Sequence, residues 1–476
     1  MDVLLVNPMD ETQVSTKLGL KVPPLNLMYL AAALEKDNLE VNIIDDDLYK
    51  IGPEKLVNKI SKLDPDVVGI TATTASIKTS TSYINLFKKA MPNVLTVMGG
   101  SHATFLPETT LRNCKGLDAV VLGEGEKTIV DLTNNFIKNG FSKLKEVKGI
   151  VYRNNGNIQR CENRALIKNI DDIPFPARHL LPFDSYRTSD NESGGIITSR
   201  GCVFNCGYCS SSLIMGKQFR GRSAKNVVDE LEQLVNEYNI RDIAFLDDTF
   251  MLNKRRAYEI ADEIKDRKLD ISFVASSRVD RVNKDLLTCL KNSGMATLYY
   301  GVESGSQRIL NLMKKGITLK QAENAVKTAK NVGLDILTSF ILGYPGETTD
   351  EMEKTINFAI KLDADYSQFS VLTPFPGTPV YYELKSKNLI DTKNWNRYTV
   401  IHPVIKYEKL GLSKKIIERK LTKAYLKFYT RPKYLLKHPH MLKIFLETVY
   451  RSFIVPKINF GTPIGWYRNL KKDSED

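Results

Sequence analysis

Five short β-branched runs within the first 150 residues, each followed by enough chain for a helix, restrict the amino-terminal third to a parallel α/β sheet. Val3 to Val6, Val41 to Ile44, Val67 to Thr71, Val94 to Met98 and Ala119 to Leu122 have the length and composition of buried strands. Amphipathic helices such as Leu27 to Lys36 and Ser80 to Ala90 separate them. Right-handed crossovers between such strands build a doubly wound, Rossmann-like sheet, which binds ligands at the carboxyl ends of its strands. The loops expected there are Asn7 to Asp10, Thr71 to Thr74 and Gly99 to Thr104. They carry Thr71, Thr73, Thr74, Gly99, Gly100, Ser101 and His102. Paired glycines let a bulky ligand approach the backbone, although a plain tight turn explains them equally well. The segment MGGSHAT at 98–104 lacks G-x-G-x-x-G, which argues against a dinucleotide.

A second strand–helix alternation starts at Gly195 and runs six times to about Thr373. Its strands are read as Gly195 to Thr198, Asp242 to Leu246, Ile271 to Ala275, Ala296 to Tyr300, Ile336 to Leu342 and Gln368 to Leu372. Six such units predict a partial (β/α)6 barrel of the TIM type, with its chemistry on the loops beyond the strand carboxyl ends. The expected division is a first domain at 1–150, a linker at 151–185, a barrel core at 186–400 and a basic helical region at 401–476.

The loop after the first barrel strand reads GCVFNCGYCS and holds half of the six cysteines, Cys202, Cys206 and Cys209, in the spacing C-x3-C-x2-C. Three thiolates on one short loop suit three corners of a [4Fe–4S] cluster and leave the fourth iron open for a ligand. Structural zinc prefers four ligands in paired knuckles, and neither a second knuckle nor a nearby histidine accompanies this loop. Disulfides are disfavoured by the opening MDVLLVNPMD, which lacks the basic and apolar regions of a secretion signal and points to a reducing cytoplasm. Cys114, Cys161 and Cys289 are scattered and read as packing residues.

With Tyr208 just before its last cysteine, this loop resembles the signature of radical S-adenosylmethionine (SAM) enzymes. The resemblance implies a cluster that binds SAM and cleaves it to a hydrogen-abstracting 5′-deoxyadenosyl radical, with electrons from a donor such as flavodoxin or ferredoxin. The segments PPLNLMYLAAALEK, DPDVVGITATT, MGGSHAT and LDAVVLGEGE, in that order, resemble the cobalamin-binding domain that precedes the radical core in one branch of the family. Many cobalamin proteins take an axial histidine from D-x-H-x-x-G, which is absent here. His102 is therefore expected to hydrogen-bond cofactor or backbone, with ligation of cobalt as the alternative.

Other candidates fall at the same barrel rim. FLDDTF places Asp247 and Asp248 after the second strand, where a carboxylate could bind a hydroxyl or transfer a proton. Neighbours on a strand face opposite ways, so at most one enters the barrel and the other is free to cap a helix. Arg278 either forks onto the SAM carboxylate or pairs with Asp280. Glu303 in YYGVESG resembles the position that contacts the amino or ribose groups of SAM, and Ile341 and Gly343 in FILGYPGET resemble the segment along adenine.

The net charge of +13 is concentrated late: Lys406 to Lys472 carries 17 Lys or Arg against three Glu. Aromatic and aliphatic residues recur among these cations at helical spacing, which favours contact with an anionic membrane surface. A helical cap over the barrel is the alternative, and nucleic acid is a weaker one because no RNA-binding motif accompanies the charge. No window approaches the roughly 18 apolar residues of a spanning helix. The expectation is a cytoplasmic cobalamin-dependent radical SAM enzyme, peripheral at the membrane through its tail. It is expected to methylate an unactivated carbon of a lipid, isoprenoid or other small metabolite. The competing expectations are ring formation, rearrangement or RNA modification without methyl transfer, and a non-catalytic iron–sulfur protein.

Overall fold

A computed structural model describes residues 1–9, 22–186 and 194–437. The first sheet comprises β1 Val3–Asn7, β2 Val41–Asp45, β3 Val67–Thr71, β4 Leu95–Gly99, β5 Ala119–Val121, β6 Ile150–Asn154 and β7 Asn157–Arg160. Their order is β2-β1-β3-β4-β5-β6-β7, and β1 to β5 are parallel neighbours. Strand order reverses between β1 and β3, which creates the crevice where doubly wound sheets take ligands. The β-branched runs bury both faces: Val3 and Leu5 pack under the helices Leu25–Lys36 and Glu126–Asn139, Leu4 and Val6 under Pro53–Ile60 and Ile77–Ala90.

Two features depart from the expected division. β6 and β7 form an antiparallel hairpin on β5, so the first sheet runs to Arg160 rather than ending at residue 150. Asn155 and Gly156, at φ 46° and 83°, make the two-residue turn that matches strand twist. The segment read as a linker is also packed down, with Ile167, Ile170, Ile173 and Leu181 buried in the first domain's core.

The barrel is built from β8 Gly194–Ile196, β11 Asp242–Phe245, β12 Ser272–Ser277, β13 Met295–Glu303, β14 Asp335–Leu342 and β15 Tyr366–Val371, all parallel in the order β15-β14-β13-β12-β11-β8. A short antiparallel pair, β9 Ser199–Arg200 and β10 Arg220–Gly221, closes the base of the cysteine loop. Outward residues such as Phe273, Leu298, Phe340 and Phe369 are fully buried under the helices. Inward residues Ser276, Tyr299, Ser339, Ile341, Gln368 and Ser370 are only half-buried, so six strands leave a lumen rather than a filled core.

The described part of the basic region caps that barrel. The helix Lys414–Tyr429 buries Ile417, Ala424 and Phe428 against it, and Lys420, Lys423 and Lys427 reach Glu353 at 2.9, 2.9 and 2.7 Å. Two tyrosines complete the free edge of β15. The Tyr425 hydroxyl accepts from Phe369 N–H at 3.2 Å and donates to Phe369 C=O at 2.8 Å; Tyr429 does the same with Ser367 at 3.1 and 2.9 Å. Ile417, Ala424, Phe428 and Tyr434 of the stripe read as membrane-facing pack on the barrel, whereas Leu426 and Leu436 stay exposed, and residues 438–476 lie outside the described chain. No helix among the described residues is long and apolar enough to cross a membrane.

Candidate active site

The cysteine loop leaves β9 and returns through β10, beside the carboxyl end of β8. Cys202 N–H donates to Gly216 C=O at 3.1 Å, and Gly207 N–H donates to Met313 C=O at 2.8 Å, which fastens the loop to the turn after the helix Gln307–Leu312. All three thiols are free and half-buried. Burial pushes the Cys202 and Cys206 thiols up. Cys202 lies within the field of both other sulfurs and Cys206 within that of Cys209. No group of three or more His, Cys, Asp or Glu among the described residues is gathered for a single ion. Three loop thiols at this spacing suit an iron–sulfur cubane better than a four-ligand zinc site.

Behind Cys206 lies a cluster that the residue pattern only half disclosed. Lys315 Nζ donates to Glu303 Oε1 at 2.8 Å and to the Tyr208 hydroxyl at 3.2 Å. Burial, with Glu303 next, drives the Tyr208 hydroxyl well above its ordinary range, so it stays a donor. Glu303 ends β13 at φ +74°, where the register with β14 shifts. That is a strained conformation for a non-glycine residue, of the kind stored at functional sites. Gly301 makes room for the pair, because a Cβ there would stand 2.5 Å from Glu303 Oε1 and 3.0 Å from Lys315 Nζ. Lys315 sits in an MKKG run without distinguishing spacing, and no signal in the sequence marks it.

Arg278 follows the second of its two expected courses. Its Nε donates to Asp280 Oδ1 at 2.9 Å, and its guanidinium lies 3.6 Å from the Phe204 ring centroid. It braces the cysteine loop through Phe204 and is already paired with a carboxylate, which corrects the reading of a free fork for SAM. Ile341 lies on the half-open inner face of β14, and Gly343 just beyond accepts the Tyr407 hydroxyl on its carbonyl at 2.9 Å. Glu347 accepts Gly343 N–H at 2.6 Å and Tyr344 N–H at 3.2 Å. Burial nevertheless raises its pKa from 4.5 to about 8.

The two sheets share one cavity of about 480 Å³. Thr71, Thr73, Gly99, Gly100 and Ser101 line it from the first domain, and Ser199, Arg200, Ile214, Leu246 and Asp248 line it from the barrel side. At Gly100 a Cβ would stand 2.5 Å from Ala72 C=O, so the turn presses backbone on backbone. At Gly99 a Cβ would meet nothing within 4 Å, so this position opens on space that a flat ligand could fill.

Thr74 and His102 do not line that cavity. His102 is buried, shares a 3.2 Å hydrogen bond between Nδ1 and Thr74 Oγ1, and packs edge-on against Trp395 at 4.9 Å. Burial lowers its pKa from 6.5 to about 4. Both residues support the loop through that hydrogen bond. The aspartates also divide. Asp247 accepts Thr198 N–H at 2.6 Å, Thr198 Oγ1 at 2.5 Å and Ser199 Oγ at 2.6 Å, which ties β11 to the strand before the cysteines. That side chain is spent on structure and is withdrawn as a catalytic candidate. Asp248 opens into the cavity, where enclosure away from bulk water raises its pKa.

Comparison with known proteins agrees with both halves of the site. Residues 196–359 match the radical SAM superfamily, and residues 12–133 match a B12 binding domain. The chain is 46% identical over 437 residues to the uncharacterized methyltransferase PH0819 of Pyrococcus horikoshii, covering 92% of this chain and 94% of that protein. It is 28% identical over 392 residues to the anaerobic magnesium-protoporphyrin IX monomethyl ester cyclase of Cereibacter sphaeroides, covering 81% and 63%. Among solved structures, the fold is similar to the radical SAM methyltransferase TsrM from Kitasatospora setae with cobalamin and [4Fe–4S] cluster bound, at 20% identity and a TM-score of 0.69, covering 88% and 82%.

Proposed function

The chain belongs to the cobalamin-dependent radical SAM methyltransferases, and from that membership we propose that it methylates an unactivated carbon of an apolar small molecule, of the isoprenoid or other lipid class. Its cofactors are a [4Fe–4S] cluster, SAM and cobalamin. Cys202, Cys206 and Cys209 would hold the cluster. Tyr208, Lys315, Glu303 and the inner face of β14 at Ile341 would contact SAM, and Thr71, Thr73, Gly99, Gly100 and Ser101 would hold cobalamin. When bound, these groups supply a hydrogen-abstracting radical and a methyl donor.

The observation that carries the reading is the shared cavity, whose walls come from the cobalamin domain and from the barrel rim beside the cysteine loop. Substrate in that cavity would lie between the two chemistries. Asp248, which lines that cavity, would accept or return a proton there. Ile197 and Ile214 line the cavity beside Leu246, which remains 51% exposed, and this apolar side suits a hydrocarbon better than a charged substrate. A flavodoxin or ferredoxin would supply the electrons.

The test is anaerobic incubation of cluster- and cobalamin-loaded protein with methyl-labelled SAM, a reductant and a lipid extract of the host. The expected result is 5′-deoxyadenosine together with labelled methyl in an extractable apolar product. Production of 5′-deoxyadenosine with an unlabelled, altered product would replace this reading by the ring-forming or rearrangement alternative.

A further inference from the structure

Both ends of the cysteine loop converge on one side chain of the other domain. Arg200 and Arg220, register partners in β9 and β10, flank the loop. Arg200 Nη1 donates to Glu124 Oε1 at 3.1 Å, and Arg220 Nη1 donates to Glu124 Oε2 at 3.0 Å. Glu124 Oε2 also accepts Ile167 N–H at 2.9 Å, and Arg200 Nη2 donates to Glu126 Oε1 at 2.5 Å. Arg220 Nη2 reaches Met215 C=O at 2.7 Å, inside the loop itself. The four charged side chains are only 7 to 8% exposed.

Glu124 and Glu126 belong to the GEGE turn at 123–126 that follows β5, and all four of its residues line the cavity assigned to cobalamin. Charge-assisted bonds from planar guanidinium groups fix geometry closely. Buried ion pairs contribute little net stability compared with apolar packing. What this cluster achieves is a fixed relation between the cavity wall and both ends of the loop.

We propose that Glu124 is a positioning residue that couples occupation of the cobalamin crevice to the conformation of the cysteine loop. A ligand resting against residues 123–126 holds Glu124, and Glu124 holds Arg200 and Arg220. The inference rests on the cofactor assignment above. Linkage makes the coupling reciprocal, so a seated cluster raises cobalamin affinity by the factor with which cobalamin favours the cluster-bearing loop. A factor of about ten is within the ordinary range for coupled sites.

Hydroxocobalamin titrated anaerobically into the full chain, with and without reconstituted cluster, reads this by visible absorbance. The parent should bind about tenfold more tightly with the cluster in place. Glu124→Gln keeps the shape and one acceptor oxygen but removes the charge, and should bind equally in both states. A residue that only stabilised the fold would weaken both affinities and leave their ratio unchanged, so an unaltered ratio in Glu124→Gln overturns the proposal. Equal affinities in the parent overturn it as well. Because two arginines facing a neutral amide can prevent folding, a second measurement uses the parent alone. Hydroxocobalamin added to cluster-free protein should slow amide exchange across residues 201–219 while leaving the helix Lys414–Tyr429 unchanged. Binding without that protection refutes the coupling, whereas a parent that binds no hydroxocobalamin refutes the cofactor assignment itself.

Discussion

Removing the two tyrosine hydroxyls at the barrel edge tests whether the basic region is part of the barrel. Each hydroxyl pairs with both the N–H and the C=O of one β15 residue, Tyr425 with Phe369 and Tyr429 with Ser367. Both strand residues are fully buried, and the next outward position, Val371, donates to Val400 C=O at 2.7 Å. Tyr→Phe at either position leaves one donor and one acceptor unpaired, at about 1–3 kcal/mol for each unsatisfied group. Allowing for partial access of water at an edge, each single variant should cost about 2 kcal/mol. The double variant should cost somewhat less than the sum, because the rings stack on each other at 6.3 Å. Two kcal/mol is roughly a 30-fold change in local opening. Amide exchange of a peptide spanning Tyr366–Val371 reads that opening directly, without requiring two-state unfolding of several domains. Exchange in the Tyr425→Phe, Tyr429→Phe double variant within threefold of the parent would refute the edge-cap argument and return the tail to the membrane-surface reading.

Cys202→Ala, Cys206→Ala or Cys209→Ala should each abolish the iron–sulfur absorbance and SAM cleavage of reconstituted protein, while Cys114→Ala, buried in the first domain, retains both; SAM cleavage at the parent rate in any of the first three would sink the cluster assignment. His102→Ala should keep hydroxocobalamin affinity within a few-fold while lowering stability by about 2 kcal/mol through lost packing on Trp395, and histidine nitrogen coupling in the parent's Co(II) resonance spectrum would show this to be wrong. Glu347, raised from 4.5 to about 8 in the fold, contributes stability that is fully present below pH 4.5 and is lost as pH rises toward 8, with a slope of at most about 1.4 kcal/mol per pH unit. Glu347→Gln should flatten that dependence between pH 5 and 8 in thermal melts of the apoprotein, and an identical slope in both proteins would contradict it.

The strands were legible because parallel strands buried on both faces write themselves as unbroken apolar runs. Val3 to Val6 and Val67 to Thr71 have no alternation to obscure them. The β6–β7 hairpin was missed although its Asn155-Gly156 turn was in plain view, because VYRNNGNIQR follows the last crossover and looked like linker. At the site, thiols and glycines stand out by type and spacing. Lys315, Glu124, Arg200 and Arg220 do not, since their roles come from partners 12 to 107 residues away in the chain. Arg278 shows the converse: its neighbour Asp280 was visible and did decide its pairing. In the basic tail a stripe that packs on a barrel edge and one that enters a membrane have the same periodicity, and the described part is told apart only by Glu353, Asp363 and Asp365, which meet its lysines from the barrel side.

A 480 Å³ space between two folded units makes the cofactor a component of the architecture. Any ligand that binds only the native chain stabilises it by mass action, by about 2.7 kcal/mol when free ligand is a hundred times its dissociation constant. Cells short of the vitamin would therefore hold a less stable protein that is cleared faster by proteases, so enzyme abundance would follow cobalamin supply without a dedicated regulator. Steady-state protein levels at constant transcript, in cultures with and without added cobalamin, measure this directly, and equal levels would exclude it.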